Sequence, residues 1–428
     1  MTGIGLLFLG LVFLGFPVFV SLALTGVVGV ALTHDVPLAV VAAKTASASD
    51  NFVLLAIPLF VLAGSLMSAG GIAQRLFDLA RVLVGHMTGG LAQVNVALSV
   101  LNGGLSGSSA ADAAIDCKVT IPQMRADGYP AAFSGAITAV SGMLSNIIPP
   151  SIAMLVYASL TNVSVGKLFM AGVVPGLMMA LAMSITAYRT CQRMGYGTRL
   201  PRPSWREVAA AFQRSAFALT MPVIIVGGIR FGYFTATEAG AVAVLVSFVL
   251  GALVFRELHL RDLPGVLAKT AVDTGAIMLI ISFSAPISIV LAYNQIPQRV
   301  AAFFTSIGNS HMVFLLTVNV FLLIGGALME GVTLLILTTP LLASVAVRLG
   351  IDPIHFGMVV VMNVVLGAVT PPFGQLVFFV SSMTGIRSEE MFKQVFRFLP
   401  LLLLVLGIVT FFPETYLWTV RLFGPSGG

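Results

Sequence analysis

Residues 131–166 and 353–386 contain no Asp, Glu, Lys or Arg over 36 and 34 consecutive positions. Built as straight helices they would reach about 50 Å, against a bilayer hydrocarbon core of ~30 Å. Each stretch therefore has to bend or break inside the membrane. Each also holds a Pro-Pro pair, Pro149-Pro150 and Pro371-Pro372, and the dipeptide occurs nowhere else in the chain. Proline lacks the amide donor a helix interior needs and disfavours helical backbone in the residue before it, so the pairs mark the breaks. The rest of the chain is of the same kind. Of its 428 residues, 58% are apolar and 9% charged, and its mean hydropathy is +1.04. Those values exclude an ordinary soluble domain and predict an all-α polytopic membrane protein with about a dozen membrane segments.

Runs 51–74, 168–188, 274–298 and 398–413 read as ordinary spans. Residues 3–32 lack a basic start and exceed a 7–15-residue signal core, so they read as the first retained span. The net charge of +6 is spread in small clusters, as topology signals are, with no basic block suited to nucleic acid. Arg189, Arg193, Arg199, Arg202, Arg206 and Arg214 face a single acid, Glu207, which marks this loop as cytoplasmic. Ser204 and Glu207 have capping-box spacing and predict a short helix lying at the interface. In residues 72–86, Ile72, Leu76, Leu79 and Leu83 share one helical face, the pattern of a surface-lying connector. Cys117 and Cys191 are too few for a disulfide framework or a four-ligand metal site and read as small apolar fillers.

The two proline pairs lie 222 positions apart (371 − 149). At the same offset Gly103-Gly104 falls on Gly325-Gly326 and Gly128 on Gly350, which makes an internal duplication the economical reading. The halves would be residues 1–215 and 216–428, with cores at about 91–165 and 311–386. Residues 91–101 span only ~16 Å as a helix, and residues 110–118 are too charged to face lipid. A re-entrant hairpin with its tip in residues 102–109 fits, provided protein or water surrounds that tip. In the second half, residues 312–326 and 331–345 would be longer arms around a tip at 327–330.

Unwound backbone in lipid is costly unless its free amides and carbonyls are used. Ser106, Ser108 and Ser109 supply hydroxyls at the first tip, and Ser141, Ser145 and Asn146 at the first break. Gly326, Met329 and Gly331 form the second tip, with Gly367, Thr370 and Gln375 around the second break. These neutral oxygens suit a hard monovalent ion such as sodium and are too weakly charged for a transition metal. Helix N-termini beside them would face an anion. The plainer reading of each small residue alone is close helix packing. Asp112 follows Ser109, and Glu238 follows Thr235, at capping-box spacing. Glu330 and Asp273 stand in apolar surroundings and could carry protons if sodium is not the coupling ion.

Two other classes compete. Gly104-Leu105-Ser106-Gly107 matches the G-x-S-G of intramembrane serine proteases, but such chemistry needs a base beside Ser106. None of His34, His86, His259, His311 and His355 has an obvious mid-membrane position, and a protease would not need the second half. Phosphate-loop and H-E-x-x-H motifs are absent from the chain. A passive channel also lines its pore with broken helices. Unlike a carrier it would not saturate or depend on a sodium gradient.

Four stretches together resemble the large membrane subunit of tripartite ATP-independent periplasmic (TRAP) transporters, the DctM-like family. They are Gly104-Leu-Ser-Gly-Ser-Ser-Ala-Ala-Asp112, Asn146-Ile-Ile-Pro-Pro-Ser151 with Tyr157, Thr235-Ala-Thr-Glu-Ala239, and Gly367-Ala-Val-Thr-Pro-Pro-Phe-Gly374. The resemblance runs over essentially the whole chain. It implies two inverted repeats, each with a re-entrant helical hairpin and a discontinuous helix, in an elevator-type transporter rather than an enzyme. It implies sodium-coupled uptake of a small organic anion, a carboxylate, across the bacterial inner membrane, with no organic cofactor. A periplasmic binding protein would deliver the substrate, and a small four-helix membrane subunit would complete the permease. Carried over by position, Gly104, Ser106, Ser145, Asn146 and Pro149 would hold one sodium ion. Gly326, Met329, Gly367, Thr370 and Pro372 would hold a second. The anion would lie between them, at Ser108, Ser109, Asn146, Thr370 and Gln375. Gly374-Gln375-Leu376 departs from the family, whose members often carry Asn two residues past the glycine.

Overall fold

The computed structural model describes residues 2–33, 37–198, 201–306 and 311–423, so His34 and Arg199 lie outside the described residues. Among those residues all regular structure is helical. Seven helices are long and apolar enough to cross a bilayer, or eight if Ser388–Val395 and Leu399–Phe411, bent by 56°, count as one span. That is fewer than the dozen expected, because much of the apolar length is cut into shorter helices of 10–17 residues.

Three sequence expectations change. Residues 3–32 are not one span but two helices, Thr2–Phe13 and Val18–Thr33. Gly15, with φ of +85°, and Pro17 turn the chain between them. The fold-back brings Ile4 Cδ1 to 3.4 Å from where a Gly29 Cβ would stand, whereas a straight helix would separate the two residues by ~37 Å. Ser204 and Glu207 do form a capping box, but the helix they open is Trp205–Arg230, 26 residues long and able to cross the membrane. Nothing polar enough to stop it follows Ser215, so the interfacial turn runs on into a span. In Ile72–Val84 the residues Ile72, Leu76, Phe77, Leu79 and Ala80 are buried while Leu83 is exposed, so the buried face is rotated from the expected one.

Both hairpins form, with sharper tips than expected. The first is Gly90–Ser106 and Ser109–Ala126 with Gly107 and Ser108 between. Its 17-residue first arm measures ~26 Å rather than ~16 Å. Residues 102–106 stay helical because they pack closely: a Cβ on Gly103 would lie 3.2 Å from Ser145 Cα, and one on Gly104 3.1 Å from Pro222. The second hairpin is His311–Leu328 and Gly331–Arg348, with Met329 and Glu330 at the tip.

Both proline-marked runs break. Ala131–Gly142 continues through the tight turn Met143–Asn146, opens over residues 147–151 and resumes as Ile152–Thr161. Pro353–Gly367 opens over residues 368–374 and resumes as Gln375–Thr384. The second piece of each broken helix packs on the other half of the molecule. Ile152–Thr161 lies against Gly331–Arg348, and Gln375–Thr384 against Ala131–Gly142 and Ser109–Ala126.

A buried polar clamp ties each hairpin to its broken helix. Asn95 donates to Thr138 Oγ1 (2.8 Å) and accepts from Ser141 Oγ (2.5 Å). In the second half Asn319 accepts from Asn363 and donates to Thr410 Oγ1 (3.1 Å). Ser141 and Asn363 are themselves 222 positions apart (363 − 141). Ser141, read from sequence as a ligand at the break, is thus a structural partner of Asn95.

Candidate functional site

Both tips and both breaks meet at one cavity of about 370 Å³. Ser108 and Ser109 of the first tip, Asn146 of the first break, Glu330 of the second tip and Gln375 beyond the second break all line it. Val18 and Phe19 close it from the N-terminal hairpin, and Ala276, Ile277 and Ile280 from helix Leu263–Tyr293. Of the five residues expected to contact the anion, four line this cavity. Thr370 does not: its hydroxyl donates to Leu366 O (2.8 Å), which turns it back onto its own helix.

The cavity is a meeting place of helix N-termini. Ser108 caps Ser109–Ala126 by accepting from the Ala111 amide (3.4 Å), and Ser151 caps Ile152–Thr161 by accepting from Met154 (3.2 Å). Glu330 caps Gly331–Arg348 by accepting from the amides of Val332 (3.0 Å) and Thr333 (2.7 Å). Gly374, at φ +41°, precedes Gln375–Thr384. First-turn residues of all four helices line the cavity. Each N-terminus carries roughly half a positive charge on amides with no intrahelical partner. Glu330 is the one ionisable side chain in the lining, and its carboxylate is already engaged by amides. That engagement makes it a cap rather than the proton carrier considered from sequence. Asp273 is exposed and does not line the cavity.

The residues expected to hold cations lie beside this space. In the first half the Gly107 carbonyl accepts from the Ile152 amide (3.2 Å), which pins tip to break. Ser106 Oγ accepts from the Ser108 amide (3.4 Å), and a Cβ on Gly104 would stand 3.8 Å from Pro149 O. Ser145 Oγ is fully buried and has no hydrogen-bond partner among the described residues, as a hydroxyl kept for a ligand would be. In the second half the Ala327 carbonyl accepts from the Phe373 amide (3.2 Å). Gly326 and Gly367 meet backbone to backbone, since a Cβ on Gly367 would lie 2.6 Å from Gly326 Cα. Met329 stands at that tip and Thr370 just past Gly367, while Pro372 is exposed. No cluster of three or more His, Cys, Asp or Glu occurs among the described residues. A cation held here would rest on serine hydroxyls and on carbonyls freed at helix ends, donors that fit sodium.

Sequence reasoning misplaced Asp112. Ser108, not Ser109, is the cap, and Asp112 points into the interior between the arms. It is fully buried and faced by Asn102, Ser99 and Ser145, none of which closes a hydrogen bond to it. One turn on, the buried Asp116 accepts from Ser99 Oγ (3.2 Å) and Thr120 Oγ1 (3.3 Å). The signal was available: Asp112, Asp116 and Thr120 recur every fourth residue and so share one helical face. Glu238 does cap its helix as expected, accepting from the Thr235 amide (2.8 Å).

A cavity bounded by two hairpin tips and two helix breaks, within a bundle of apolar spans, defines a multi-pass membrane permease. Similar proteins agree. The family model for the tripartite ATP-independent periplasmic transporter, DctM component, matches residues 5–415. The chain is 38% identical over 415 residues to the sialic acid TRAP transporter large permease protein SiaM of Vibrio cholerae, covering 97% of each. It is 41% identical over 397 residues to the C4-dicarboxylate TRAP transporter large permease protein DctM of Pseudomonas aeruginosa, covering 93% of each. The chain belongs to the DctM family of TRAP large permeases, which are transporter components and not enzymes. Its fold is also similar to the crystal structure of the Alcanivorax borkumensis YdaH transporter, with a TM-score of 0.62 over 87% of each chain at 13% identity.

Proposed function

We propose that this chain imports a small organic anion, a carboxylate, across the bacterial inner membrane in symport with sodium. A periplasmic binding protein delivers the substrate, and a small four-helix membrane subunit completes the permease. The observation that carries the reading is the convergence of four helix N-termini on one cavity that no cationic side chain lines. Each N-terminus favours an anion by about 0.3–1 kcal/mol, and by up to ~2 kcal/mol when partly buried. Three of them supply a carboxylate site, the fourth being already held by the Glu330 carboxylate, and the anion's charge can also be left behind, since no permanent ion pair has to be broken. Ser108, Ser109, Asn146 and Gln375 provide its hydrogen bonds. The relatives named for sialic acid and for C4-dicarboxylates support the same ligand class.

Sodium in this reading sits behind the two tips. Gly104, Ser106, Ser145, Asn146 and Pro149 hold one ion, and Gly326, Met329, Gly367, Thr370 and Pro372 the other. Halves 1–215 and 216–428 act as inverted repeats that move as an elevator. The matching clamps at Asn95 and Asn319, and the matching bonds from Gly107 to Ile152 and from Ala327 to Phe373, support the repeat. The test is uptake into proteoliposomes holding both membrane subunits, with the cognate binding protein outside. Uptake should saturate and stop when the sodium gradient is collapsed. Uptake driven by a proton gradient alone would reassign the coupling ion, and linear uptake without the binding protein would make the chain a channel.

A further inference from the structure

We propose that a second, larger hollow, far from the cavity in composition and lining, binds the headgroup of an anionic phospholipid. This hollow of about 510 Å³ lies where the end of helix Val165–Met194 meets the bend before Leu399–Phe411. Arg189 and Arg193, one turn apart on the first helix, and Arg397 at the bend all line it. Thr186 and Thr190 add hydroxyls on the same face, and no carboxylate is in the lining. None of the three arginines has an ion-pair partner among the described residues, whose salt bridges use Arg75, His259, Arg387 and Arg421.

Arginines in this region mark topology, and Arg193 also suits the negative end of its helix. Neither role calls for guanidinium groups from two separate elements to share one hollow, where like charges repel unless an anion lies between them. Guanidinium planes match phosphate oxygens in bidentate fashion, so the fitting anion is a phosphate ester.

Membrane depth decides between a lipid and a soluble phosphate. Val165–Met194 has 30 residues and measures ~45 Å, so its last turns rise out of the ~30 Å hydrocarbon core into the headgroup layer. Below the arginines an apolar stripe continues into the bilayer. Leu177, Leu181 and Ile185 stand exposed every fourth residue, and Leu404 on the neighbouring packed helix is exposed as well. The stripe of Leu177, Leu181 and Ile185 accommodates acyl chains and offers a soluble ester nothing. The loop is the one read as cytoplasmic, so the lipid belongs to the cytoplasmic leaflet, where basic pockets between spans take anionic headgroups.

Native mass spectrometry of the two-subunit permease in detergent tests this, with phosphatidylglycerol, cardiolipin and phosphatidylcholine titrated separately. The wild type should retain the two anionic lipids in preference to phosphatidylcholine. Each arginine removed should weaken that retention roughly fivefold. The triple variant Arg189→Gln, Arg193→Gln, Arg397→Gln should therefore lose on the order of a hundredfold. The control Arg202→Gln, Arg206→Gln, Arg214→Gln removes the same charge from the segment that follows, outside the hollow, and should bind as the wild type does. Should the triple variant fail to insert, Arg397→Gln alone, outside the loop, reads the single step. Equal retention of phosphatidylcholine, no loss in the arginine variants, or equal loss in the control would overturn the assignment. Displacement of the lipid by glycerol 3-phosphate would overturn it in favour of a soluble phosphate ester.

Discussion

The first hairpin with its broken helix and the second with its own follow one plan and bury different chemistry. In the first unit Ser145, Pro149, Pro150 and Ser151 of the break are all buried. Around them, among the described residues, lie polar atoms without partners on Asn102, Ser109, Asp112 and Ser145, against Thr339 Oγ1 and Asn363 Oδ1 in the second unit. In the second unit the break opens outward at the exposed Pro372 and Phe373, and the preceding helix is an apolar run from Met358 to Met362. Its tip is held by the bare backbone contact of Gly326 with Gly367 and by the Glu330 cap. A duplicated scaffold can therefore keep its bend while its polar content drifts. In this molecule the first unit gathers side-chain oxygens around its break, and the second chiefly main chain.

The largest effect should come from the proline pairs. Proline disfavours a helix interior by ~3 kcal/mol, which is about a hundredfold in population. Pro149→Ala with Pro150→Ala should lower sodium-driven uptake on the order of a hundredfold. Pro371→Ala with Pro372→Ala should cost less, because that break is partly exposed. Equal losses would erase the contrast between the units. Gly367→Ala comes next. Its Cβ would meet Gly326 backbone at 2.6 Å, and overpacking of this kind costs about 2–3 kcal/mol in thermal unfolding of the purified protein. Gly103→Ala has 3.2 Å of clearance to Ser145 Cα and should cost about 1 kcal/mol. A reversed order would show that the first unit is the more tightly packed. Asn95→Ala and Asn319→Ala strand buried partners in equivalent places and should each destabilise by about 1–3 kcal/mol, an agreement that tests the repeat itself. Asp112→Asn should leave stability unchanged or raised, because a neutral amide is easier to bury. Because Asp112 faces Ser145 of the proposed first sodium site, losing its charge should also raise the sodium concentration needed for half-maximal uptake, read from initial rates. The smallest loss of stability is Ser108→Ala, a lost cap worth about 1 kcal/mol in melting, whose counterpart in the second hairpin is the Glu330 cap.

What could be read from the sequence was what backbone chemistry enforces. Pro149-Pro150, Pro371-Pro372 and Gly325-Gly326 act through missing amides and missing Cβ atoms, which any fold must accommodate, and each sits where it was expected to. The capping boxes at Ser204 and Thr235 are local in the same sense and formed. What failed depended on contacts distant in the chain. Whether residues 3–32 cross once or fold back is decided by packing on Leu263–Tyr293, where Pro286 leaves no room for a Cβ on Gly26. Asp112 carries the spacing of a cap; its shared face with Asp116 and Thr120 hinted otherwise, and the position of Ser145, from another helix, shows that it faces inward. Thr370 is the local exception: it belongs to the right break, and its rotation away from the cavity is set by a bond within its own turn.

The outer wall of the cavity has a consequence of its own. Val18, Phe19, Ala276, Ile277 and Ile280 are hydrocarbon throughout, so that face grips the hairpin tips with no directional bond at all. In the elevator movement proposed above, a surface of this kind would work as a dry bearing: one body could slip along another while contacts are exchanged like for like, and little beyond wetting would resist the travel. Planting a single threonine at Ile277 would give that bearing a tooth, and the place along the stroke where it catches could be read from crosslinks between position 277 and the tips.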